Sequence, residues 1–232
     1  MEPRRIIITG GSSGIGEAVA YDMAKDNAWI FLLGRSGEKL QKVASEVEKR
    51  GGKAFYFTGD VGDEKTVDQM FDEAVRNLGH IDVIFLNAGV GYFGNLESLA
   101  VEQFDEQFKT NVKGVFLWLR KVLPLMRERN KGQIIVTSSN LGLETSPRAS
   151  VYSATKHSVQ AMIECLRDEL KDTKIKAATI NPGSVATPWY AGRNVDFNKM
   201  LAVNDIARAV RYIVEQSKTS NIEHILIRPG SS

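Results

Sequence analysis

Along the 232 residues of this chain, short apolar runs alternate with longer segments whose apolar positions recur every three or four residues. The short runs fall at 4–9, 28–33, 53–58, 81–86, 132–137, 175–180 and 223–227. Most are continuous and do not alternate with polar positions, which is how strands buried on both faces read. The longer segments, 14–26, 38–50, 64–78, 101–129, 150–171 and 204–216, predict helices. In the longest, Val101, Phe104, Phe108, Val112, Val115, Leu119 and Val122 fall mostly at helical spacing, so a single helix is predicted across the whole stretch. Strand–helix alternation kept up from end to end predicts an α/β fold, with one seven-stranded, mainly parallel sheet covered by helices on both faces. No repeat or linker interrupts it, so 1–232 is read as one domain. The longest stretch without a pattern is 181–203, and an irregular segment of that length in a compact domain is usually functional or mobile.

Composition narrows the classes. An apolar share of 43% and a charged share of 25% are those of an ordinary globular protein. The formal charge of +2, with no Lys/Arg run beyond two residues, gives no reason to expect nucleic acid as a partner. No stretch approaches the ~20 apolar residues of a membrane span. The single cysteine, Cys165, excludes an internal disulfide, and with three histidines no metal site is expected. Cys165 lies in an apolar stretch and is expected in the core. The N-terminus enters the first strand without a signal-peptide pattern, so a cytoplasmic protein is expected.

The first strand ends in Thr9-Gly10-Gly11-Ser12-Ser13-Gly14-Ile15-Gly16, and helical sequence follows at once. Glycines at such a junction let the backbone approach a pyrophosphate, while the helix N-terminus offers unpaired N–H groups and a favourable dipole. The spacing is G-x-x-x-G-x-G. Four further groups stand downstream in order: Leu86-Asn87-Ala88-Gly89, Asn111, Ser139 followed by Tyr152-x-x-x-Lys156, and Asn181-Pro182-Gly183 with Thr187 beyond. In type, order and spacing these resemble the short-chain dehydrogenase/reductase family from Arg4 to about Ile227, with Leu86 replacing the first Asn of the family's Asn-Asn-Ala-Gly.

The resemblance implies a Rossmann-type doubly wound sandwich, with a dinucleotide-binding half, 1–90, and a catalytic and substrate half, 91–232. It implies a nicotinamide cofactor held by Gly10, Ser12, Ser13, Gly14, Ile15, Gly16, Asn87, Ala88, Gly89, Pro182, Gly183, Val185 and Thr187, with Thr187 on the carboxamide. Asp60-Val61 resembles the pair that holds the adenine; taken alone, Asp60 reads equally as a helix N-cap. The end of the second strand, where an acid would favour NAD, reads Leu33-Gly34-Arg35-Ser36 with no carboxylate before Glu38. Arg35 offers a planar fork to the 2′-phosphate of NADP, and Ser36 a hydroxyl. NADP(H) is the expected cofactor, although the second basic residue that NADP-binding members often carry in the glycine loop is here Ser13.

Reducing a carbonyl needs a hydride, which the cofactor carries, and a proton, which the protein supplies. Tyr152 and Lys156 lie four apart in helical sequence and share a face. A phenol's ordinary pKa of ~10 is too high for a base at neutral pH, so Lys156, together with an oxidised nicotinamide ring, is expected to lower it by ~2–3 units. Tyr152 is thus read as general acid in reduction and general base in oxidation, and Ser139 as a hydroxyl donor to the substrate oxygen. By resemblance, Lys156 also bonds the nicotinamide ribose, and Asn111 holds a water linking Lys156 to solvent. His157 faces away from Lys156 and is read as a surface or pocket residue. Substrate contacts are expected from 90–93, 140–150 and 184–203, where Trp189, Tyr190 and Phe197 suggest an apolar carbonyl compound. Arg148 and Arg193 could bind an anionic substrate, but a solvated surface role is the favoured reading for each. The family's pairing of two helices across a twofold implies a homodimer or homotetramer. Three functions follow: NADPH-dependent reduction of an aldehyde or ketone, 3-oxoacyl-carrier-protein reduction, and, from another class, a non-catalytic NADP-binding sensor or scaffold. Against the second, the chain ends in His224-Ile225-Leu226-Ile227-Arg228-Pro229-Gly230 instead of a glycine-rich tail.

Overall fold

A computed structural model describes residues 2–230. The strands are β1 (Arg5–Thr9), β2 (Trp29–Gly34), β3 (Lys53–Thr58), β4 (Val83–Leu86), β5 (Gly132–Thr137), β6 (Ile175–Pro182) and β7 (His224–Ile227). They form one sheet in the order β3-β2-β1-β4-β5-β6-β7. Every pairing is parallel. The central strands are mostly buried, whereas no residue of β3 or β7, at the edges, is fully buried.

Continuous apolar strands are required because the sheet buries both faces. Ile6 and Ile8 of β1 pack to one side with α1 (Gly14–Ala24), α2 (Gly37–Lys49) and α7 (Val203–Val214). Ile7 points to the other side, with α3 (Glu64–Leu78), α5 (Gly114–Arg129) and α6 (Ser150–Leu170). Strand neighbours alternate sides, so each run feeds two cores.

Two expectations are corrected. The segment 101–129 is not one α-helix. It is α4 (Val101–Phe108), a π-helical turn Lys109–Lys113, and α5. The wider turn lies against the loop after β3, where a Cβ on Gly62 would meet Lys109 Cγ at 2.6 Å and its carbonyl oxygen at 2.8 Å. Such π turns inside α-helices concentrate at functional sites. Cys165 is exposed and not in the core. The buried stripe of α6 runs through Val159, Ile163, Leu166 and Leu170, which leaves Cys165 on another face. The segment after β6 contains two short 3₁₀ turns, Pro188–Tyr190 and Phe197–Lys199, and is tied back by a bridge between Val185 and Leu201.

Candidate active site

The strand order reverses between β1 and β4, because β2 and β3 lie to one side of β1 and all later strands to the other. Open α/β sheets leave a crevice outside the strand carboxyl ends at that point. Here it is a cleft of about 580 Å³. One end is lined by Gly10, Ser12, Ser13, Gly14 and Ile15, with Arg35, Asp60 and Val61 beyond. Asn87, Ala88 and Gly89 form its middle, and Ser139, Tyr152 and Lys156 the other end. Pro182, Gly183, Val185 and Thr187 close it from the β6 side. Gly16, Ser36 and Asn111 are not on the wall.

The glycine loop is built for close approach. Gly10 has φ +65°, and a Cβ there would lie 2.9 Å from Ala88 Cα. A Cβ on Gly16 would collide with the Gly10 carbonyl oxygen, so the packing of α1 against the loop requires glycine there. Ser13 is the N-cap of α1, and its side chain makes no capping hydrogen bond. Thr9 Oγ1 accepts from the backbone N–H of Asn87 at 2.9 Å and of Ala88 at 3.1 Å. Thr137 Oγ1 donates to Asn87 Oδ1 at 3.1 Å. These bonds fix the ends of β1, β4 and β5 to one another. A glycine-rich cradle at a helix N-terminus, continuous with a long cleft, fits a dinucleotide.

At the far end Arg35 is 71% exposed and faces Glu106, with Nη1 to Oε1 3.4 Å. Ser36 caps α2, its hydroxyl accepting from Lys39 N. Asp60 accepts from Gly62 N at 2.8 Å and from Lys109 Nζ at 2.7 Å. Burial acts to raise its carboxyl, but Lys109 and the Gly62 N–H outweigh it and hold it below the ordinary range.

At the other end Lys156 is buried and its Nζ donates to the Thr137 carbonyl at 2.9 Å. It lies 5.7 Å from the Tyr152 ring centroid. Ser139 Oγ accepts from Leu141 N and donates to Asn140 Oδ1, both at 3.1 Å. Asn111 sits in the π turn behind the wall. Its Oδ1 accepts from Val90 N and its Nδ2 donates to Val90 O, both at 2.8 Å, and also to Thr155 Oγ1 at 3.1 Å. It therefore pins the loop after β4 to α6. Burial pushes the Tyr152 phenol up to about 12, with the Ser139 hydroxyl opposing the rise and Tyr190 adding to it. Burial brings the Lys156 ammonium down to about 8. The expected lowering of Tyr152 by Lys156 together with an oxidised nicotinamide ring therefore does not arise from the protein's own groups, in which burial sets both directions.

Phe93 and Trp189 flank the Tyr152 ring, with centroids at 5.2 and 6.0 Å. Gly91 makes room for Trp189, since a Cβ there would lie 2.5 Å from Trp189 Cζ2. Phe197 is exposed, outside the cleft. Arg193 is exposed, in keeping with the solvated reading, and it also lines the cleft. Arg148 does not; it has φ +65°, and its carbonyl accepts from Gly94 N. His157 is on the surface, bonded to the Ser153 carbonyl at 2.9 Å. Thr110, Ser138, Asn140 and Ser184 also reach the wall. Thr110 carried no signal in the sequence, because only the π turn brings it there.

A family model for short chain dehydrogenases matches residues 4–196. A protein described as an uncharacterized oxidoreductase in Staphylococcus epidermidis is 33% identical over 223 residues, 96% of each chain. The structure of an alcohol dehydrogenase from the archaeon Thermococcus sibiricus, complexed with 5-hydroxy-NADP, is similar with a TM-score of 0.92 at 30% identity, covering 98% of this chain and 97% of that one. A 3-ketoacyl-(acyl-carrier-protein) reductase from Brucella melitensis, complexed with NADH, has a TM-score of 0.91 at 27% identity, covering 99% and 98%.

Proposed function

The chain belongs to the short-chain dehydrogenase family, and on that premise we propose that it is an oxidoreductase that uses NADPH to reduce an aldehyde or ketone to the alcohol. The observation that carries this is the single cleft joining the glycine loop, with Arg35 at its rim, to Tyr152, Lys156 and Ser139. A bound nicotinamide cofactor supplies the hydride. The residues of the chain do the rest. The Tyr152 phenol gives its proton to the carbonyl oxygen as negative charge builds there. The Ser139 hydroxyl rotates from Asn140 to donate to the same oxygen. Lys156, held by the Thr137 carbonyl, keeps a positive charge beside the phenol. Asn111 positions the loop after β4 opposite α6. Phe93, Trp189 and Tyr190 exclude water and hold an apolar body.

Arg35, just after β2 and with no carboxylate before Glu38, supports NADPH over NADH. The exposed apolar residues Val101 and Phe104 on α4 and Phe116 on α5 support self-association as a homodimer or homotetramer. No helix of the described residues is long and apolar enough to cross a membrane. A single free cysteine suits a reducing compartment, which supports the cytoplasm. The fold likeness to the 3-ketoacyl reductase supports 3-oxoacyl-carrier-protein reduction as a second reading.

The test is NADPH consumption over aldehydes, ketones, diketones and one 3-oxoacyl thioester, with NADH and two variants alongside. Tyr152→Phe is expected to lose about 10²–10⁴-fold in turnover, the usual worth of a positioned general acid. Arg35→Asp is expected to cost NADPH far more than NADH; equal losses would refute the role of Arg35. Cofactor binding without turnover of any carbonyl would favour a sensor or scaffold.

A further inference from the structure

Four charged side chains line the cleft: Arg35, Asp60, Lys156 and Arg193. The first two belong to the cofactor end, and each faces an opposite charge, Glu106 and Lys109 respectively. The substrate end is left with Lys156 and Arg193 and, among the described residues, no acidic side chain on its wall. Arg193 stacks over the rings of Phe93, at 5.2 Å, and Tyr190, at 5.7 Å, and donates only to the Gly91 carbonyl, at 3.5 Å. The acid nearest in sequence, Asp196, caps the following turn by accepting from Asn198 N at 3.0 Å. Two aromatic faces thus hold a guanidinium whose remaining donors face no carboxylate. From its Cζ to the Phe93 centroid is 5.2 Å, and from there to the Tyr152 centroid another 5.2 Å. The exposed cation therefore stands no more than about 10 Å from the centre of the Tyr152 ring, with Phe93 beside both.

We propose that Arg193 selects substrates that carry a carboxylate: the enzyme reduces oxo acids whose carbonyl meets Tyr152 and Ser139 while an aromatic or short aliphatic spacer lies along Phe93 and Trp189. This rests on the reductase reading above and names its substrate class. A guanidinium fork matches a carboxylate through two parallel hydrogen bonds. A substrate bearing an ammonium group in the same place meets two positive charges and no counter-charge.

The experiment is a matched series of acetophenones with a para carboxylate, a para carboxamide or a para aminomethyl group, reduced with NADPH by the native chain, Arg193→Gln and Arg193→Lys. The native chain is expected to favour the carboxylate over the carboxamide by about tenfold or more in kcat/KM, chiefly through KM, as one charge-assisted contact supplies. The aminomethyl compound is expected to be poorest. Arg193→Gln should bring the carboxylate-to-carboxamide ratio near unity, and Arg193→Lys should keep part of it. Raising the salt concentration should narrow the native ratio. A native ratio near unity, or one that survives Arg193→Gln, overturns the proposal while leaving the reductase reading standing. Failure of all three compounds, and of simple aldehydes and ketones, removes both.

Discussion

At the residue scale, Tyr152 and Lys156 are moved in opposite directions by one cause. Leaving water costs the charged form of each, so the phenol rises to about 12 and the ammonium falls to about 8. A phenol that stays protonated suits reduction, where it must give a proton, and hinders oxidation, where it must first lose one. Reduction is therefore expected to hold through neutral pH and to decline above about 8, as Lys156 loses its charge. Alcohol oxidation should keep rising through the alkaline range. Turnover measured in both directions against pH checks this, and parallel profiles would show that burial does not govern the pair.

At the element scale, α1 and α7 cover one face of the sheet and are joined by Arg211. Its Nε donates to Asp22 Oδ2 at 2.6 Å and its Nη1 to Glu215 at 2.8 Å, with Asp26 also in contact. Burial alone would raise the Asp22 carboxyl, but bonds from Arg211 and Lys25 outweigh it and hold the group below its ordinary 3.8. A carboxyl with a depressed folded-state pKa contributes stability that is fully present above 3.8 and is lost as pH falls through the folded value. Arg211→Ala is expected to cost about 1–3 kcal/mol, the range for charge-assisted bonds at a partly buried site. That lowers Tm by roughly 2–4 °C per kcal/mol for a chain of this size. Thermal melts at neutral and acidic pH should show the gap between native and variant shrinking in acid.

At the scale of the whole molecule, two cores on opposite faces of one sheet leave the strand carboxyl ends free for the cleft, so stability and chemistry occupy different parts of the fold. The exposed apolar residues lie elsewhere. Val101 is 70% exposed, Phe104 45% and Phe116 46%. If these residues meet their copies across a twofold, Phe116→Glu places like charges in the contact. Light scattering is expected to give a dimer or tetramer for the native chain and a smaller species for the variant. A native monomer would leave these side chains without a partner and refute the proposed assembly.

The alternation of strands and helices, the glycine loop and the Tyr152–Lys156 pair were legible in the sequence because each depends on spacing within a few residues. Buried strands must be continuously apolar, a tight loop under a helix must be glycine-rich, and two side chains four apart on a helix must share a face. Contacts between distant segments decided the remainder. The periodicity of 101–129 reads as one helix, and only packing of Lys109 against Gly62 accompanies the π turn that places Asn111 and Thr110. Cys165 has apolar neighbours in sequence but lies off the buried stripe of α6. Arg193 has no motif around it; it joins the cleft because the chain folds back over Phe93 and Gly91, 102 residues away. The pKa directions of Tyr152 and Lys156 belong to this second group as well, since desolvation depends on what the whole fold places around a side chain and not on the residues beside it.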